Sequence, residues 1–314
     1  MFKKALFVAA SLATAVLAGP LDKRQIAARA QWLIHGDVEA LMVSKLGQRI
    51  QQEAQKPGLA QVVQAIQTTY GLNPLADVKS ITLYGTKVGQ EEGVAIIQAK
   101  LDRQKLVDLL KLNPDYKEHK AGQQVIHEWV DAPKDDKPAQ VRFGAFCGSD
   151  LAVIASSRDL LQQALAVLDG KADSLAKGES PGLAAPRAGT FLTLCVDKLP
   201  QPPADRPEAV LLAKFARACA CLGEAEGKLF ADVAIEAASQ EAADNIRKTV
   251  EGGLAFLGLL MPAQGQALPD IPPQLPPLVR SAKVTMDGKT VKLSAGMATE
   301  DLIAMLEWAE KHKK

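Results

Sequence analysis

Cys195, Cys219 and Cys221 are the residues of this chain whose types and spacing most directly suggest chemistry. Cys219 and Cys221 are two apart, so on a strand they project to one face, and Cys195 lies in another alternating run of the same half. In an exported chain with four cysteines that spacing allows a disulfide from Cys195 to one member of the pair. The competing reading is that small thiols pack beneath helices in a domain large enough to need no staple. A metal site of the Cys219-x-Cys221 type requires further ligands nearby, and none is evident; Cys147 belongs to the other half.

His35 and Asp37 in "WLIHGD" share one face of a strand. They can jointly bind an ion or act as base and acid; otherwise they form a polar edge on a half-exposed strand. The remaining histidines, His119, His127 and His312, are scattered, and "HEWVD" lacks the second histidine of a zinc-protease helix while alternating like a strand. "GESPG" matches G-x-S-x-G, yet Pro181 has no N–H for an oxyanion and no strand precedes Ser180. Ser174 and Lys177 form S-x-x-K without its companion motifs. "DGKT" at Asp287 to Thr290 lacks the earlier glycine of a phosphate loop and is followed by a strand rather than a helix. Nothing in these patterns implies a cofactor or a metal.

The elements that hold these residues follow a repeated order. "AKVTMDGKTVKLSA" alternates apolar and polar residues about Asp287-Gly288, the strongest short-range hairpin signal, since both residues tolerate positive φ. Thr299 then offers a cap, Glu300 and Asp301 place negative charge in a first helical turn, and Leu302, Leu306 and Ala309 form a stripe. The order recurs in "ITLYGTKVGQEEGVAIIQAKL" with a helix capped by Asp102 whose Leu106, Leu109 and Leu110 face inward. It recurs again in "VRFGAFCGSDLAVIAS" with a helix closed by Gly170, and in "RACACLGEAEGKLFADVAIEA" with a helix ending in "GGLAFLGLLM", read as a buried helix end.

"WLIHGDVEAL" and "TFLTLCVDKL" each open such a series as a strand ending in an acid, which implies an internal duplication. The expected fold is α+β: one or two antiparallel sheets built from hairpin-plus-helix units, with helices on one face and Lys283, Thr285, Lys292, Ser294, Asp232 and Glu236 on the open one. The first half spans 19–170 and carries an extra run, "QQVIHEWVD". A small, polar linker occupies 171–188, and the second half spans 189–314 with a proline-rich extended connection at 262–278.

Apolar residues make up 47% of the 314 and charged residues 23%, a globular composition. With Lys plus Arg at 37 against 36 acids there is no basic surplus for nucleic acid or an anionic membrane. Aromatic residues, 4% of the chain, are too few for stacking platforms. At the N-terminus Lys3 and Lys4 precede an apolar run from Ala5 to Ala18, which predicts a signal peptide over 1–18 cleaved near Ala18, a periplasmic or extracellular address, and no transmembrane segment in the mature chain.

A signal peptide, the "WLIHGDVEAL" stretch and the hairpin-helix order together resemble uncharacterised exported bacterial proteins. That resemblance implies no catalytic or binding residues. The expected function is that of a non-catalytic exported binding or structural protein, periplasmic or of the envelope and of unknown specificity, whose open sheet face or inter-half groove meets another protein. The alternatives are a periplasmic carrier of an apolar ligand or lipid, which requires an internal cavity of several hundred Å³, and an extracytoplasmic hydrolase without a recognisable motif.

Overall fold

The structure is a computed structural model that describes residues 19–88, 92–122, 124–133, 138–177, 187–197, 214–261 and 272–312. The predicted signal peptide, its cleavage position near Ala18, Ser180 with its motif, and most of the proline-rich stretch lie outside the described residues.

The strands are β1 (Trp32–Asp37), β2 (Val78–Gly85), β3 (Val94–Ala99), β4 (Lys117–Ala121), β5 (Gln124–Asp131) and β6 (Gln140–Cys147), followed by β7 (Leu151–Ala155), β8 (Thr190–Asp197), β9 (Phe215–Ala225), β10 (Lys228–Ala237), β11 (Lys283–Asp287) and β12 (Thr290–Ala298). The helices are α1 (Val38–Val43), α2 (Lys45–Ala54), α3 (Pro57–Tyr70), α4 (Arg103–Lys111), α5 (Arg158–Leu168), α6 (Gln240–Leu260), α7 (Leu275–Ser281) and α8 (Thr299–Lys311).

The twelve strands of the described residues form one antiparallel sheet in the order β11-β12-β10-β9-β8-β1-β2-β3-β7-β6-β5-β4, so the fold is α+β. The two halves meet in the β1–β8 pair, where Leu33 lies opposite Cys195 and His35 opposite Thr193. Outward from that pair, β2, β3, β7 and β6 on one flank follow the same connection order as β9, β10, β12 and β11 on the other, and the β4–β5 hairpin extends the first flank.

Local chemistry sets the element boundaries. Asp37 and Asp102 accept from the N–H groups of Ala40 (2.8 Å) and Lys105 (3.1 Å), and Ser157 and Ser239 cap α5 and α6 in the same way. Glu226 and Gly227 both have positive φ, 53° and 72°, as a two-residue type I′ loop requires. Two expectations are corrected here. Asp287 pairs with Thr290 inside the hairpin and only Gly288 has positive φ, so the loop is Gly288-Lys289. Thr299 does not cap α8; its hydroxyl donates to the carbonyl of Gly227 (3.2 Å), tying the helix start to the β9–β10 turn.

Helices do not all lie on one face. Leu161, Ala164 and Leu165 of α5 pack with Leu33, Ile96, Ala145 and Val153 into the larger core, and complete burial of Leu161 contributes about 1.5–3 kcal/mol. On the opposite surface Ala243 and Ile246 of α6 pack with Val291, Ile235 and Val284. The reason is legible in β3 and β7: "VAIIQA" and "LAVIA" are apolar on both faces, and strands of that kind require cover on both. On the second flank the α5 side carries Lys283, Thr285, Lys292 and Ser294, all exposed.

Three segments differ from expectation. In the stretch read as a linker, Leu175 is 6% exposed in the core, and its N–H donates to the carbonyl of Ile26 (2.8 Å). The proline-rich connection ends in α7, with prolines in its first turn where a missing N–H costs nothing. "GGLAFLGLLM" is exposed rather than buried: Phe256 is 61% and Leu259 83% accessible. A β-carbon on Gly252, Gly253 or Gly258 would meet nothing within 4 Å. The 21-residue helix is about 31 Å long, and its buried stripe ends well before its tip.

Candidate functional site

Between α4 and the sheet lies a cavity of about 450 Å³. Its floor is Ile97 of β3, Ala152 and Ile154 of β7, Gly144 and Phe146 of β6, and His127 and Trp129 of β5; its roof is Leu106, Leu109 and Leu110 of α4, with Tyr70 at the end of α3 and Leu72 just beyond it closing one side. The register accounts for the floor, because Ile97 opposes Ala152, Phe146 opposes Ala152 and His127 opposes Gly144 on one surface of the pleat. Small residues at Gly144 and Ala152 leave the space. A β-carbon on Gly144 would stand 3.0 Å from Trp129 Cζ3, so the glycine lets the indole lie across β6.

The roof is fastened by polar groups at its ends. Lys105 Nζ donates to the carbonyl of Thr68 (2.8 Å), Asn113 Nδ2 to the carbonyl of Val130 (2.8 Å), and the Arg103 guanidinium lies 5.7 Å from the centre of the Phe146 ring. Leucines on α4 thus face a void instead of interdigitating with the sheet.

One polar chain reaches the floor. Tyr116 Oη donates to Glu118 Oε1 (2.7 Å) and stands 2.8 Å from His127 Nδ1. With the tyrosine proton on the carboxylate, Nδ1–H of His127 donates to Tyr116 and Nε2 keeps its lone pair. Burial lowers the His127 pKa, favouring the neutral ring. Desolvation, reinforced by Glu118, raises that of Tyr116. At the mouth of α4, Arg103 Nε and Nη2 are buried without a hydrogen-bond acceptor.

The residues singled out in the sequence lie elsewhere. Cys195 and Cys219 face each other on β8 and β9 with Cα atoms 4.2 Å apart and are joined as a disulfide. Cys221 remains a thiol beside Thr193 Oγ1 (3.8 Å), and burial raises its pKa and that of Cys147, which opposes thiolate chemistry.

His35 and Asp37 share a face that is buried rather than half-exposed. His35 is held through Nδ1 by Thr82 (2.9 Å) and through Nε2 by the Gly19 carbonyl (2.8 Å), while Asp37 caps α1. Both imidazole nitrogens are thus engaged by other groups, as is Asp37 Oδ1 by the N–H of Ala40. Burial lowers the pKa of His35 and raises that of Asp37. Ser174 is buried in a bridge to Ala27, and Lys177 pairs with Asp173 (3.3 Å). Among the described residues no three His, Cys, Asp or Glu side chains converge as a ligand set.

Sequence reasoning oriented the α4 leucines correctly but did not find the cavity, nor Arg103 and Trp129 as parts of one site. The signal was faint: small residues on facing strands beneath a leucine-rich helix.

No family model matches the chain. No curated protein matches it either. Among solved structures it is similar to crystal forms I and III of TP0453, at TM-scores of 0.45 and 0.43 and 9% identity, over 92% of this chain and 97% and 98% of those chains. Likeness at this level carries no argument about function.

Proposed function

We propose that the protein is an exported, non-catalytic binding protein that holds an apolar ligand between α4 and the sheet. One observation carries this reading: an apolar cavity of about 450 Å³, within the size range of small-molecule sites, roughly 300–1,000 Å³. A void of that size lined by leucine, isoleucine and aromatic groups forfeits packing that a bound apolar molecule restores. The export part of the proposal rests on the N-terminal segment. The disulfide, at home in an oxidising compartment, supports it.

The test is native mass spectrometry of the purified protein, followed by titration of the delipidated form with an environment-sensitive apolar fluorophore. A copurified lipid-sized adduct and a saturable site are expected; an adduct-free protein with no saturable binding defeats the reading.

A second reading, contact with another envelope protein, is favoured by the exposed tip of α6, where Phe256, Leu257, Leu259 and Leu260 lie open. Its test is photocrosslinking from position 259 in intact cells, with a discrete crosslinked species expected.

A further inference from the structure

The cavity is lined by apolar side chains, and a charged group, the Arg103 guanidinium, stands behind one of its walls, Phe146. The Nε and Nη2 atoms of Arg103 are buried and unpaired, and the guanidinium carbon is 5.7 Å from the ring centre of Phe146, a cavity wall. Nε and Nη2 share one edge of the planar guanidinium, and their N–H bonds run parallel, spaced for two oxygens of one anion.

The acids around it are engaged elsewhere. Asp102, its neighbour in the chain, accepts from the N–H of Lys105 (3.1 Å), and Asp169 pairs with Lys171 (2.8 Å). Buried charged donors without an acceptor are costly and rare in native proteins, so the free edge calls for an acceptor from outside the chain. In the adjoining space Leu106, Leu109 and Leu110 lie on the α4 side and Ile154 on the sheet side, and its volume is about 450 Å³.

We propose that the ligand is a single-chain amphiphile with a carboxylate head, its hydrocarbon under α4 and its two oxygens on the Nε–Nη2 edge of Arg103. This assignment deepens the apolar-ligand reading and depends on it. A phosphate monoester presents a similar pair of oxygens, so the experiment includes both heads.

Dissociation constants are measured by calorimetry on the delipidated protein for oleate, oleyl alcohol and oleyl phosphate, below their critical micelle concentrations. The same measurements are made on Arg103→Gln and Arg103→Lys, with circular dichroism to verify folding. Oleate is expected to bind the unsubstituted protein about 10- to 100-fold more tightly than oleyl alcohol, the range of a charge-assisted pair, and at least as tightly as oleyl phosphate. Arg103→Gln is expected to abolish that advantage, so that within this variant oleate and oleyl alcohol bind equally, and Arg103→Lys, which keeps the charge without the fork, to restore part of it.

Equal binding of alcohol and carboxylate, or a carboxylate preference that survives Arg103→Gln, overturns the head-group assignment and leaves the cavity reading standing. Tighter binding of the phosphate replaces carboxylate with phosphate as the head. Failure of all three ligands overturns both proposals.

Discussion

The indole of Trp129 lies against the backbone of Gly144, tighter than most β-carbon contacts: an added β-carbon would stand 3.0 Å from Cζ3 and 3.2 Å from Cη2 of the ring. Gly144→Ala is therefore expected to push the indole away from β6 and to destabilise the protein by about 1–3 kcal/mol, the usual range for overpacking. Urea denaturation measures the loss, and a shift in tryptophan emission reports the displacement. Unchanged stability would show that the ring moves without cost.

Filling the floor should separate binding from folding. Ala152 faces the cavity between Ile97 and Phe146, and Ala152→Phe places a ring in space that an apolar ligand would use. Affinity for the apolar fluorophore is expected to fall at least tenfold, an estimate for near-complete loss of the buried volume, with little loss of melting temperature. Undiminished binding would place the ligand elsewhere.

The Cys195–Cys219 disulfide joins β8 to β9 beside the centre of the sheet. Replacing both cysteines by serine should cost about 2–4 kcal/mol, as for most native disulfides. Cys221→Ser, which breaks no bridge, should cost less. Melting temperatures with and without reductant distinguish the two.

Burial lowers the pKa of both His35 and His127, so between their folded values and the unfolded value of about 6.5 the unfolded chain binds more protons. Stability therefore rises with pH through that window and falls as pH drops below about 6.5. The raised pKa of Asp37 acts with opposite sign, its contribution being lost as pH rises through its own window above 3.8. Melting temperatures at stepped pH from 7.5 to 5 test this, at about half-unit intervals. A curve that Phe substitution of His127 leaves unaltered removes that residue from the account.

At the tip of α6, Leu259 is 83% accessible. Leu259→Asp should change stability by no more than about 0.5 kcal/mol, as exposed substitutions do, while removing any crosslink formed from that end. A large destabilisation would mean that the tip packs against something in solution.

Much of the fold was legible because alternation is a local signal. Leu229 to Ile235 and Val291 to Ala295 name their faces without reference to other strands, and Asp102 marks its helix by the N–H groups it caps. Helix placement was not local. Whether α5 and α4 share a surface depends on both faces of β3, and "VAIIQA" betrays its two covered faces only when read as a continuous apolar run. The polar pair at His35 and Asp37 was legible as a shared face, but the Gly19 carbonyl and Thr82 hydroxyl that occupy the imidazole come from distant parts of the chain. The cavity was the least legible feature, because it arises from what Gly144 and Ala152 omit, and sequence patterns register side chains more readily than their absence.

The β1–β8 pairing has a consequence for biosynthesis. Until residue 197 has emerged, β1 has a partner on one side only, in β2, and its other edge waits with unsatisfied amides. Assembly must then be completed by a contact between segments more than 150 residues apart, the sort of closure that is slow and leaves an adhesive border open meanwhile. Cells making this chain have reason to keep it attended until its second half arrives.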